Sequence, residues 1–112
     1  MRLPNADNAI VPVEKLRDYL LSSFHPVGRF KARFFAALGY RSDDGPVLEQ
    51  DVRRLLEGDA AKTDRTAYGQ KYEVRGTITG PAGRTADIVS VWIIRNGEDV
   101  PRFVTAHPRG RI

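Results

Sequence analysis

His25, Lys31, Tyr68, Lys71, Tyr72, Arg75, Arg102, Thr105 and His107 are of the types that move protons or hold developing negative charge without a metal. Cleavage of RNA by its own 2′-hydroxyl needs such a set: a base, an acid and a cation near the pentavalent phosphorus. Each residue also has an ordinary reading: His25 as a solvated loop residue, Tyr72 and Trp92 as core aromatics, Arg102 as a surface charge on an edge strand. Competing chemistries lack the residues to carry them. Cysteine is absent, which removes disulfides, thiolate zinc sites and thiol nucleophiles. Two distant histidines make a poor metal site, and Asp43-Asp44 reads as a helix cap. No glycine-rich phosphate loop, pair of catalytic carboxylates or Ser-His-Asp signature stands out. No metal or other cofactor is expected.

Two stretches must position these residues. From His25 to Phe35, four cation-capable side chains and three phenylalanines crowd one loop-to-helix junction. At helical spacing Phe30, Phe34, Leu38, Phe35 and Ala32 form one apolar arc with Lys31 in its middle, while Arg29, Arg33 and Ala36 fall opposite. A cation in that arc must be paired, snorkel to water or face a cleft. This spacing predicts Lys31 and Tyr72 in one cleft between helix and sheet, with His25 at its rim. The second stretch is the last strand, where alternation puts Arg102 with Val104 and Ala106, and Phe103, Thr105 and His107 on the other side. Arg102 and Thr105 can share a site only if that strand ends or bulges between them.

The surrounding elements follow from periodicity. Pro4 and Pro12 flank an extended arm, and Val13, Leu16, Tyr19 and Leu20 recur as a short first helix. Pro26 turns His25 away from helix. A second helix runs to Gly39, which tolerates the left-handed backbone of a helix end. Ser42 to Pro46 supplies caps and a helix-compatible proline for a third, marked by Leu48, Val52, Leu55 and Leu56 and ended near Gly58. Residues 60–67 read as a loop or short edge strand. From Gly69 the period becomes two, with turns at Gly80-Pro81-Ala82-Gly83 and Asn96-Gly97 separating strands over Thr85–Arg95 and Pro101–His107. Thr85–Arg95 is apolar on both faces and reads as the central strand. The expectation is an α+β fold in one domain, residues 1–112: three N-terminal helices packed on a three- to four-stranded antiparallel meander.

Net charge is +4, and its excess is unevenly placed: residues 1–60 balance nine Lys/Arg against nine Asp/Glu, whereas 61–112 carry nine against five. Arg29, Lys31, Arg33 and Arg41 form one acid-free block, and Arg102, Arg109 and Arg111 another. Brought together they would attract nucleic acid or an acidic protein. Arg29, Arg33, Lys71 and Arg75 are the candidate RNA-binding cations. The first residues lack the apolar run of a signal peptide and no stretch approaches membrane-spanning length, so a soluble, cytoplasmic protein without a membrane partner is expected.

His25-Pro-x-Gly-x-x-Lys31-Ala-x-x-Phe with Leu38-Gly39, Tyr68-Gly-Gln-Lys-Tyr72, Thr77-Ile-Thr-Gly-Pro-x-Gly, and Trp92-Ile-Ile-Arg-Asn-Gly-Glu-Asp-x-Pro101-Arg102-Phe-x-Thr105 together resemble a small bacterial domain of uncharacterised function. It occurs alone beside antitoxin-like genes and at the ends of contact-dependent or polymorphic toxins. Its layout is similar to the barnase, EndoU, colicin and RelE group of metal-independent ribonuclease toxins. The resemblance implies an endoribonuclease toxin with RNA as substrate and a cognate antitoxin-like partner. It carries His25, Lys31, Tyr72, Arg102 and Thr105 as catalytic candidates, and nothing onto His107. Two other readings use the same residues: a non-catalytic basic binding module, and a structural domain whose motif residues hold the helix-to-sheet packing.

Overall fold

Alternating apolar side chains give each strand one face to bury, and consecutive strands joined by tight turns bury it together. The computed structural model, which describes residues 1–17 and 29–109, has four such strands: β1 (Ala60–Thr66), β2 (Gly69–Thr79), β3 (Thr85–Arg95) and β4 (Arg102–Pro108). They form one antiparallel sheet in the order β1-β2-β3-β4. Tyr72, Val74, Gly76 and Ile78 stand opposite Trp92, Ser90, Ile88 and Ala86, and this is the inner face. A helix over Gly45–Leu55 covers it: a Cβ on Gly76 would run into the Leu55 side chain. The outer face carries Lys71, Glu73 and Arg75 opposite Ile93, Val91 and Val89.

The fold is α+β, and among the described residues two helices exceed a single turn, Arg29–Ala37 and Gly45–Leu55, so the three expected are not borne out. Of the expected first helix the described residues show one α-helical turn, Val13–Lys15, with Leu16 and Arg17 continuing helically to the edge of the described stretch. Its N-cap is Pro12, which offers no side-chain acceptor for the free amides of a first turn. The other boundaries hold. Gly39 has φ 103 just after Ala37, and Pro46 sits in the first turn of the second helix. The undecided segment 60–67 is the edge strand β1, exposed from Ala61 through Arg65 and broken in register between Lys62 and Arg65. Charge and irregularity of this kind discourage pairing with another chain.

The two helices are tied at the sheet end by polar contacts. The Tyr40 hydroxyl donates to Asp51 Oδ2 at 2.6 Å, and burial first, then this carboxylate, raises the phenol's pKa. Ala82 N–H donates to Leu38 O at 3.1 Å, docking the β2–β3 turn on the end of the first helix. That approach is close enough that a Cβ on Gly80 would overlap the Leu38 carbonyl oxygen. In the core, Trp92 packs edge-on to Phe103 with ring centroids 5.3 Å apart. Its indole N–H donates to Ser90 Oγ at 2.9 Å, and that hydroxyl donates to Val74 O, so the one buried polar side chain of the core is satisfied.

The N-terminal arm spans the inner face. Leu3, Ala6, Ala9 and Val11 are buried. One end receives the Ala60 amide at Met1 O, and the other pairs with the rim of β4, Ile10 N–H to Pro101 O and Phe103 N–H to Ile10 O, both 2.9 Å. Between them Asn5, held at φ 54, donates through its side chain to Asp99 O.

Candidate functional site

The last strand decides which polar side chains meet. Thr105 pairs with Val91 and Phe103 with Trp92, so two steps along β4 match one along β3 and Val104 is the extra residue of a β-bulge. Parity resets at that point. Arg102, opposite Ile93, and Thr105, opposite Val91, both take the outer face, and His107, opposite Val89, joins them. Phe103 is thereby turned to the inner face against Trp92, away from Thr105 and His107 with which simple alternation grouped it.

Across the sheet Lys71 stands in the same row as Ile93 and Arg102. These residues and Tyr68, Arg95, Asn96 and Val104 line a cleft of about 540 Å³ where the β1–β2 and β3–β4 turns meet. Three cations and a phenol therefore border one concavity floored by half-buried aliphatics. Arg102 is held by a two-pronged ion pair, Nε to Glu98 Oε1 at 3.0 Å and Nη2 to Oε2 at 3.3 Å. The hydrogen bond from Arg102 keeps the Glu98 carboxyl below its ordinary pKa, and Glu98 in turn raises that of the guanidinium. Lys71 and Arg95 have no ion-pair partner among the described residues. Lys71, Arg95 and Arg102 give the cleft a positive balance even with Glu98 paired to Arg102, and half-buried Ile93 and Val104 form its floor.

Of the sequence-predicted catalytic residues, the structure brings Arg102 and Thr105 together on the outer face. Tyr72 is buried on the inner face opposite Trp92 and lines a second, smaller cleft with Lys62, Arg65, Gln70 and Glu98. Lys31 lies in the first helix with its side chain outside the described part, and His25 lies outside the described residues, as does the cleft the two were expected to share with Tyr72. Among the RNA-binding candidates, Lys71 lines the outer cleft and Arg75 follows it on the same face, 3.9 Å from Glu73. Arg33 is exposed on the first helix, away from these, and the side chain of Arg29 is outside the described part. Arg95 was missed by sequence reasoning. Its signal was its place at the end of the two-sided apolar strand, where the pleat of β3 carries it to the same end as Tyr68.

Among the described residues no three metal-ligating side chains cluster, and no helix is long and apolar enough to cross a membrane. No curated protein matches the chain. In fold it is similar to a chain of the contact-dependent growth inhibition toxin–immunity protein complex from Klebsiella pneumoniae 342, with TM-score 0.71, 21% identity, and 96% of this chain and 98% of that chain covered. The family model described as "Domain of unknown function (DUF6883)" matches residues 2–110, nearly the whole of the meander and its helices, and the chain belongs to that family.

Proposed function

We propose that the domain is a metal-independent endoribonuclease toxin acting on RNA in the cytoplasm, restrained by a cognate protein partner. The observation that carries this reading is the bulge at Val104, which turns Arg102, Thr105 and His107 to one face, with Arg102 in the row of Lys71. In the reaction the RNA 2′-oxygen loses its proton and attacks the adjacent phosphorus, while the departing 5′-oxygen takes a proton. Arg102 and Lys71 offset charge on the phosphoryl oxygens, and the Thr105 hydroxyl donates to one of them. Proton transfer is assigned to His25, from the sequence motif, with Lys31 as a further cation; His107 shares the outer face but stands in the row of Val89 and Arg75, away from Arg102 and Lys71. Tyr72, on the inner face, stays a core residue in this scheme. The fold shared with a chain of a toxin–immunity complex supports a toxin or immunity role and a protein partner, and the ribonuclease reading takes the first of the two.

The test is induced expression followed by analysis of total RNA, then cleavage by purified protein in excess chelator. Arg102→Gln should lower the cleavage rate on the order of 10²- to 10³-fold with the melting temperature held. His25→Ala should lower cleavage as well, and a His25→Ala protein as active as wild type removes His25 from the proton transfer. Wild-type protein that leaves RNA intact overturns the proposal in favour of a non-catalytic binding module, and cleavage that needs added divalent metal overturns its mechanism. An Arg102→Gln protein as active as wild type removes Arg102 from the site.

A further inference from the structure

Tyr68 is 78% exposed, the most exposed of the large apolar side chains in the described structure. Its backbone is nonetheless fixed. The Tyr68 N–H donates to Thr66 Oγ1 at 3.1 Å, Tyr68 O accepts from the Asn96 amide at 3.0 Å, and the Asn96 side chain donates to Ala67 O at 2.8 Å. Gly69 locks the following residue: at φ 156, a Cβ there would overlap the Ile94 carbonyl oxygen. The ring's own hydroxyl has no partner among the described residues. A mobile loop would explain an exposed tyrosine cheaply, but this turn is stitched to the neighbouring hairpin on both sides. The ring stands at the mouth of the cleft that holds Lys71, Arg95 and Arg102.

We infer that Tyr68 is a stacking platform for an unpaired base, so that the site selects single-stranded RNA over duplex; this rests on the ribonuclease reading above. A base has a π-face that any aromatic ring can meet, whereas a base inside a duplex has its faces covered by its neighbours. Phosphates flanking the stacked base fall to Lys71, Arg95 and Arg102. Stacking and charge then divide the recognition: the ring requires the strand to be open, and the cations are indifferent to its sequence.

The experiment measures binding of a short 2′-O-methyl RNA, which lacks the attacking hydroxyl, as a single strand and annealed to its complement, across a salt series. Cleavage of total RNA is followed in parallel. Wild type should favour the single strand. Tyr68→Ala should lose about 5- to 150-fold on it, the range for one stacked base, with little change on the duplex and an unchanged salt slope. Tyr68→Phe, which keeps the ring, should restore the affinity, while Lys71→Ala should lower the salt slope by about 0.7, as one phosphate contact to a single strand predicts. Equal loss on both RNAs, or a Tyr68→Ala protein that binds the single strand like wild type, overturns the stacking inference even where cleavage persists. Tyr68-dependent single-strand binding without any cleavage upholds the platform and overturns the catalytic reading instead.

Discussion

Arg102 enters the cleft already holding an anion. Its two-pronged pair with Glu98 is exposed, so solvent screens it and its contribution to folding is small. Its consequence is for binding, because an incoming phosphate must displace or share that carboxylate. The Glu98 carboxyl is depressed, so the pair is fully formed above the ordinary carboxylate pKa and is lost only as pH falls through the lower folded value. Acidification through the ordinary carboxylate range should therefore leave the pair intact, and release of Arg102 should come below it. Glu98→Gln should abolish that acid-side step and raise RNA affinity at neutral pH by up to about fivefold, with little shift in melting temperature. Binding isotherms of both proteins across pH check it, and affinity falling in the variant would make Glu98 a residue that positions the guanidinium.

At the scale of elements, the fold turns on the junction where the Arg29–Ala37 helix meets the β2–β3 turn. Leu38 O accepts from Ala82, and Gly80 has no room for a side chain against it. Gly80→Ala should cost about 1–3 kcal/mol, read as a lowered denaturation midpoint with unchanged denaturant slope. Strand β2 was legible from the sequence because a half-buried strand writes a period of two, β3 because its run is apolar on both faces between two turn signals, and Gly39, Gly83 and Gly97 mark turns that the backbone occupies at positive φ. β1 was not legible, since an exposed edge strand such as Lys62-Thr63-Asp64-Arg65 has no apolar alternation to display. The bulge at Val104 escaped for a different reason. One extra residue leaves no mark in the local pattern, because only the register with β3 reveals it, and register is a property of two strands. The sequence therefore offered Arg102 and Thr105 as candidates and stated the condition for their meeting, while Tyr72, named beside them, belongs to the opposite face. Tyr68 was visible only as a residue type; its rigidity comes from Asn96, on the next hairpin.

For the molecule as a whole, the arm that crosses the inner face has a consequence in time. Its contacts close the longest loops in the chain: Asn5 to Asp99 spans 94 residues, and Ile10 pairs with the start of β4. The arm is thus made well before the strands it packs against, and Leu3, Ala6 and Ala9 have no complete bed until β3 and β4 have left the ribosome. At ordinary synthesis rates that is a wait of roughly 5 to 20 s. Loop closure of this length must precede the contacts that reward it, so folding is expected to be slow and all-or-none, complete only once β4 is made. A chain ending before Arg102 should accordingly show no cooperative melting transition and bind no RNA, whereas a folded, RNA-binding truncation would dismiss the arm as a late clasp. The cleft itself needs Arg102, which arrives with β4. A nascent copy without β4 therefore lacks the completed cleft, and until the clasp closes the apolar side chains of the arm stay uncovered.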